Sequence, residues 1–377
     1  VVRGRLVLPS ARETCGTTWR ERIGGHEMTH VEHMQSVSLD DPVPGRQLLV
    51  ASTGGHLAQL VKWSQLIGSD PDSLWITFKS PQSDSLLQHR RVMYVPYVAP
   101  RDFRGAVNAL TRMMREIDWK EEAFTAAVTT GAAVGLAALT AARTHHVPAF
   151  YFESVSRVNG PSLTGKLASL DPRVHTCCQY QHWAGRRWKY RRSLFDSYET
   201  LPKPQVDNPR LFVTLGTIYP YRFDALVDAV LRSGLADSRT VWQLGTTERQ
   251  GLPGKAVAQM RAAAFEDCAR SADVVVTHAG VGTIMHLLEM GIYPVVVPRR
   301  AKRHEHIDDH QVQIASLLKS REISAVTEAE ELCCDAIIAA TKTSVRSASE
   351  LGPGRDHRRG PVTTSTEFPT SGRTEIS

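Results

Sequence analysis

Two short stretches of this sequence carry residue types suited to chemistry on a charged ligand. His278-Ala279-Gly280-Val281-Gly282-Thr283 sets small residues and a threonine between an apolar run and a helix-periodic one. Glycines there let backbone come close to a ligand, and free amides at a helix start hold phosphate oxygens. A tight turn without a ligand fits the same letters, because a lone glycine turn is a weak motif. Thr214-Leu215-Gly216-Thr217 is a matching turn at the start of the same half. Gly216, Thr217, His278, Gly280, Gly282 and Thr283 are therefore candidate diphosphate contacts.

Ser52-Thr53-Gly54-Gly55-His56 closes another apolar run. Imidazole titrates near neutrality, so His56 could take a proton from a hydroxyl; equally, it could only position its loop. Glu153 follows the apolar run 148–152. It could act as the base, orient His56, bind an acceptor hydroxyl, or form a salt bridge to Arg157.

His306 and His310 are four apart, but the zinc-protease pattern needs glutamate directly after the first histidine, and Ile307 stands there. Arg299, Arg300, Lys302 and Arg303 would repel a cation. The stretch reads as an anion- and sugar-contacting loop running into a helix. Asp70-Pro71-Asp72 reads as solvated surface, and no metal site is expected. Arg186-Arg187-Trp188-Lys189-Tyr190-Arg191-Arg192 interleaves basic and aromatic residues, flanked by Trp183, Leu194 and Phe195. That pattern suits anionic lipid headgroups. It would also suit RNA, or a basic helix face packed down by its aromatics.

The elements that must position these residues alternate. Short apolar runs at 48–51, 74–78, 92–95, 126–129 and 148–152 read as strands, with helical periods after the first and over 106–117 and 132–143. A proline-rich polar link follows, and the pattern restarts with strands at 211–215, 240–243, 272–277 and 294–298. Alternation of this kind gives parallel sheets covered on both faces, with ligands beyond the strand ends. The expected organisation is an extension over 1–45, a Rossmann-like domain over 46–200, a linker over 201–209, a second Rossmann-like domain over 210–345 and a disordered tail over 346–377. Met28 could be the true start.

Length and composition agree. At 377 residues, two domains are the natural expectation. A net charge of +6 favours anionic partners. The six cysteines form neither a zinc ribbon nor a disulfide framework. No signal-peptide core is visible. The uncharged segment from Ala123 to Ala142 is mostly Ala, Thr and Gly, and reads as a strand followed by a helix rather than a membrane span.

Residues 48 to about 200 resemble the acceptor-side subunit of the eukaryotic transferase that adds the second GlcNAc to dolichyl-diphosphate-GlcNAc, and its bacterial exopolysaccharide relatives. The stretches are Ser52 to Leu57, Thr130-Gly131, and Phe152 to Arg157 with Ser162 to Lys166. Residues 211 to about 325 resemble the donor-binding partner subunit and the C-terminal domain of family 28 glycosyltransferases. Here the stretches are Val213 to Thr217, His278 to Thr283, and Val297-Pro298 with Asp309-His310-Gln311. The wording of 306–311 is closest to the capsule and exopolysaccharide members.

The resemblance implies a GT-B fold, with two Rossmann-like domains facing a central cleft. It implies an inverting transfer from a UDP-sugar to a polyprenyl-diphosphate-linked saccharide at the inner face of the plasma membrane, where this chain is expected to be peripheral. No metal, cofactor or nucleic-acid partner is expected, since no compact carboxylate cluster sits at a strand end. His56 matches the histidine of the Gly-Gly-His loop in the peptidoglycan GlcNAc transferase. Gly54, Gly55, Arg157, Ser162 and Lys166 are the expected acceptor contacts. Gln243, Pro298, Arg299, Asp309, His310 and Gln311 join the donor set. A glutamate of the family is replaced by His286, and Glu289, one turn on, is carried as its stand-in. Trp183, Arg186, Arg187, Trp188, Arg191 and Arg192 are the expected membrane contacts; the membrane helix of the eukaryotic acceptor subunit has no counterpart, so a membrane-protein partner could serve instead. The alternatives are a UDP-sugar epimerase of the same fold and a non-catalytic nucleotide-sugar-binding subunit.

Overall fold

Continuous apolar runs such as Leu48-Leu49-Val50 and Val274-Val275-Val276 form strands buried on both faces, as parallel sheets demand. The computed structural model describes residues 42, 44–99, 102–217, 219–306 and 309–347, all in one unit of the chain. Nearly all of the expected extension and tail, with Cys15, Met28, Ile307 and Asp308, lie outside the described residues.

The first half runs β1 (Gln47–Val50), α1 (Gly55–Leu66), β2 (Leu74–Thr77), α2 (Pro81–Leu86), β3 (Arg91–Tyr94), α3 (Phe103–Glu116), α4 (Trp119–Glu122), β4 (Ala126–Thr129), α5 (Ala132–Thr144), β5 (Ala149–Phe152), α6 (Leu163–Ser169), β6 (Val174–Cys178), β7 (Trp188–Tyr190) and β8 (Tyr198–Pro202). Local chemistry sets the helix starts. The Ser80 hydroxyl accepts the Ser83 amide ahead of Pro81, and Asp102 and Ser162 accept the amides of Gly105 and Gly165. Ala123 to Ala142 is indeed a strand and a helix, β4 and most of α5. Gly135 lets α5 press onto β4, where a side chain would collide with the Thr129 hydroxyl. Among the described residues, no helix is long and apolar enough to cross a membrane.

The second half runs β9 (Leu211–Thr214), α7 (Asp224–Arg232), β10 (Val241–Gln243), β11 (Lys255–Val257), α8 (Ala262–Ser271), β12 (Val274–His278), α9 (Val281–Glu289), β13 (Val295–Val297), α10 (His310–Ser320), β14 (Ala325–Val326), α11 (Cys334–Ala340) and β15 (Thr343–Ser347). The first sheet has the order β3-β2-β1-β4-β5-β6-β7 and the second β11-β10-β9-β12-β13-β14. Every pairing within them is parallel. The chain therefore folds as two Rossmann-like α/β domains. Each sheet reverses its direction of growth once, between β1 and β4 and between β9 and β12, and ligands of open α/β sheets bind at such points.

The domains share an apolar seam. One cluster joins Leu57, Leu60 and Phe195 of the first to Ile284, Met285, Leu288 and Ile314 of the second. Beside it, β8 pairs antiparallel with β15. Leu201 and Pro202, which open the expected linker, and Arg346 and Ser347, which open the expected tail, belong to these two strands. The buried Lys62 amine meets the Ser347 hydroxyl at 3.0 Å and the Glu289 carboxylate at 2.8 Å.

Candidate active site

His56 and the loop after β4 meet at the first reversal point. The His56 Nδ1 lies 2.7 Å from the Thr130 carbonyl oxygen, and the Thr130 hydroxyl donates to the His56 carbonyl at 2.8 Å. A carbonyl only accepts, so Nδ1 carries the hydrogen and Nε2 keeps a free lone pair. Gly131 has φ 124°, and a β-carbon there would stand 3.0 Å from the ring. Burial lowers the His56 pKa, and the positive charge of Arg157 lowers it further. A neutral, oriented imidazole is what a general base needs.

The second reversal point builds the facing surface. His278 ends β12, and α9 begins at Val281 with Gly280 as its N-cap and no side chain capping it. The amides of Val281, Gly282 and Thr283 thus lack helical partners. The His278 ring fills the space beside Gly216 and Gly280. A β-carbon on Gly216 would sit 2.6 Å from it, and one on Gly280 would collide with Nε2. Burial, and then the Arg299 charge, drive the His278 pKa down to about 3, so the ring is neutral near pH 7. Across the seam, a β-carbon on Gly282 would lie 3.5 Å from the Gly55 Cα. The turn ahead of α1 and the start of α9 therefore face each other.

Residues 245–345 match the glycosyltransferase family 28 C-terminal domain. This family 28 segment contains β12, the His278–Thr283 turn and α9. No curated protein matches the chain. Among solved structures, MurG of Acinetobacter baumannii is 18% identical, with a TM-score of 0.48, over 78% of this chain and 89% of that one. The glycosyltransferase SnogD from Streptomyces nogalater is 17% identical, with a TM-score of 0.48, over 79% and 93%. The Streptomyces sp. SF2575 glycosyltransferase SsfS6, complexed with thymidine diphosphate, is 18% identical, with a TM-score of 0.46, over 81% and 95%.

Several expected site residues of the family 28 segment, and others elsewhere, turn out to hold the structure. Glu153 is 1% exposed and accepts the Ser154 and Ser162 amides and the Ser162 hydroxyl at 2.9, 2.8 and 3.0 Å. It pins the 154–162 loop, and burial raises its pKa. Arg157 does not pair with it; its guanidinium donates to Nε2 of His310 across the seam. Glu289, expected at the nucleotide, sits at the far end of α9, where Lys62 and the Tyr198 hydroxyl hold it. Gln311 accepts the amides of Ala279 and Arg299, each at 3.1 Å, and so ties the ends of β12 and β13. Gln243 accepts the Thr214 hydroxyl, and Asp309 the Ala301 amide. Arg299 is buried among carbonyl groups. Pro298, just after β13, is buried; Thr217 is exposed, and Thr283 half-buried on the first turn of α9.

The basic-aromatic run is split between the interior and the surface. It forms strand β7, with Trp188, Leu194 and Phe195 buried. Arg187 donates to the carbonyls of Ala168, Ser169, Asp171 and Val174, capping the C-terminal end of α6. Trp183 packs against the core, Arg191 is half-buried, and only Arg186 and Arg192 of the expected membrane contacts are exposed.

The sequence reading missed Gln59. This buried side chain on α1 bonds the Ser154 hydroxyl, the Val155 amide and the Gly55 carbonyl, joining the Gly-Gly-His turn to the 154–157 loop. A polar residue between Leu57 and Leu60 was its signal. Among the described residues, no group of three or more His, Cys, Asp or Glu is placed to hold a metal ion.

Proposed function

We propose that this chain is an inverting glycosyltransferase that moves a sugar from a UDP-sugar to a polyprenyl-diphosphate-linked saccharide in cell-surface glycan synthesis. One observation carries the reading: an oriented imidazole with a free Nε2 stands at one reversal point, and an uncapped helix start stands opposite it. The donor diphosphate lies on the amides of α9, beside Gly216 and His278. The acceptor hydroxyl approaches from the first domain and gives its proton to His56 as its oxygen bonds to the anomeric carbon. The bond from that carbon to the β-phosphate oxygen breaks, and the electron pair leaves with the nucleoside diphosphate. Helix amides stabilise that charge, so activity persists after exhaustive chelation; activity that vanished and returned with magnesium would oppose this.

A lipid-linked acceptor fits the outer face of the first domain. There α5 packs between α3 and α6. Phe103 and Val107 on α3, Leu163 and Leu167 on α6, and Leu170 just after it stand exposed, with the exposed Arg104 and Lys166 on the same helices. Exposed apolar side chains with basic neighbours in sequence suit the headgroup layer of an anionic membrane, on the inner face of the plasma membrane. Purified protein, labelled UDP-sugars and a short polyprenyl-diphosphate sugar test the whole reading. A disaccharide-lipid with inverted anomeric configuration is expected. Donor epimerisation without transfer, or donor binding without turnover, would replace it by one of the two alternatives.

A further inference from the structure

Arg299 is 1% exposed, yet among the described residues no carboxylate pairs with it. Its Nη1 donates to the carbonyls of Tyr221, Arg222 and Glu305, each at 3.0 Å, and its Nη2 to that of Leu215 at 2.6 Å. The guanidinium lies over Phe223, 4.8 Å from the ring centroid, and Nε is buried without a partner. Three segments thus meet on one group: the end of the turn strand before Gly216-Thr217, the 221–222 loop, and the loop at Glu305. Tyr221 in turn stacks with His306, and its carbonyl also accepts the Thr246 hydroxyl at 2.7 Å.

Carbonyl oxygens satisfy hydrogen bonds but bring no net charge. Glu305 is the acid whose field reaches Arg299. Its carboxylate already receives the Arg300 amide at 2.9 Å and the Arg303 guanidinium at 3.0 Å. Arg300 and Arg303 themselves pair with Glu328 and Glu330. A buried cation without a matched anion is costly. The cation stands beside the donor turn, because the Leu215 carbonyl that takes Nη2 directly precedes Gly216, and Gly216 packs against the His278 ring.

We propose that Arg299 is a positioning residue that also holds counter-charge for a diphosphate. It fixes the three segments around the donor turn without touching the ligand, and a pyrophosphate group bound at Gly280–Thr283 neutralises the charge it keeps buried. This rests on the donor site assigned above.

The test compares inorganic pyrophosphate, UDP and uridine on the wild-type protein, Arg299→Gln and Arg299→Lys, each checked first by circular dichroism and melting. A unit charge several ångströms away in a medium of effective dielectric ~20 shifts affinity by about tenfold or more. Arg299→Gln should lose that factor for pyrophosphate and UDP while uridine binding, followed by NMR, is unchanged. Arg299→Lys should keep most of the pyrophosphate affinity but slow turnover, because an ammonium cannot span four carbonyls. Equal losses for uridine and pyrophosphate, or none, would overturn the proposal. If the Gln variant does not fold, the Lys variant decides: pyrophosphate affinity lost there along with uridine affinity also overturns it. Wild-type protein that binds neither UDP nor pyrophosphate would instead remove the donor site itself.

Discussion

The Nδ1 of His56 donates to the carbonyl oxygen of Thr130 at 2.7 Å, joining the first turn of α1 to the end of β4. That bond turns Nε2, the proposed proton acceptor, away from Thr130. His56→Ala should lower the single-turnover chemical step by on the order of 10²–10⁴, with donor and acceptor affinities little changed. The folded-state pKa lies below 6.5. The base therefore stays neutral as pH falls past 6.5, and the acid limb of the rate profile should have its midpoint below that value. A limb above 6.5, or a rate within a few-fold of wild type, would make His56 a loop residue.

Glu153→Ala should act on stability first. Removing a carboxylate that satisfies buried donors costs about 2–4 kcal/mol, read as a lowered denaturation midpoint. Where the protein remains folded, the loss should appear in acceptor KM, through a loosened 154–162 loop. An unchanged midpoint with a collapsed chemical step would return the base to Glu153.

Gly280→Ala should destabilise by about 1–3 kcal/mol through its collision with His278. Adding His278→Ala should recover part of that loss, since contacting residues couple. Gly282→Leu should abolish UDP binding, because Gly282 faces the Gly55 turn. Additive melting shifts for the pair, or unchanged UDP affinity measured by calorimetry, would contradict the packing described.

His278 also sets a pH dependence of stability. Its pKa is about 3 when folded and 6.5 as the reference. Between these values the unfolded chain binds the extra proton, so this residue's contribution falls as pH drops from 6.5 toward 3. Chemical denaturation across that window should show a shallower slope for His278→Phe than for wild type.

Serine replacements at Leu163, Leu167 and Leu170 should lower binding to anionic vesicles by roughly tenfold or more. Arg187→Glu should instead destabilise the fold, because Arg187 caps α6. Vesicle binding that ignores the leucines but follows Arg186 and Arg192 would restore the basic run as the membrane contact.

The strand-turn-helix units were legible because parallel strands buried on both faces write continuous apolar runs, as at Leu48–Val50 and Val274–Val276. The turns at Gly55 and Gly282 were legible because backbone approach demands glycine. The partners of polar side chains were not. Glu153, Arg187, Arg299 and Gln311 look in sequence like ligand contacts, yet each is consumed by backbone groups brought from distant segments. Charge and strand-end position cannot tell an outward-facing group from one that staples loops. The run at 186–192 was hard to read for a related reason: β7 is three residues long and buries Trp188 while Lys189 and Tyr190 stay exposed, so no period marks which side chains turn inward.

The pairing of β8 with β15 bears on how this chain could be divided. A cut between Pro202 and Leu211 would leave β8 on one fragment and β15 on the other. Each fragment would then carry an unpaired strand whose register, from Thr343 opposite Pro202 to Ser347 opposite Tyr198, is already set. Each would also expose its share of the apolar seam between α1 and α9. Co-expressed as two separate chains, such halves would find each other through that register and that seam.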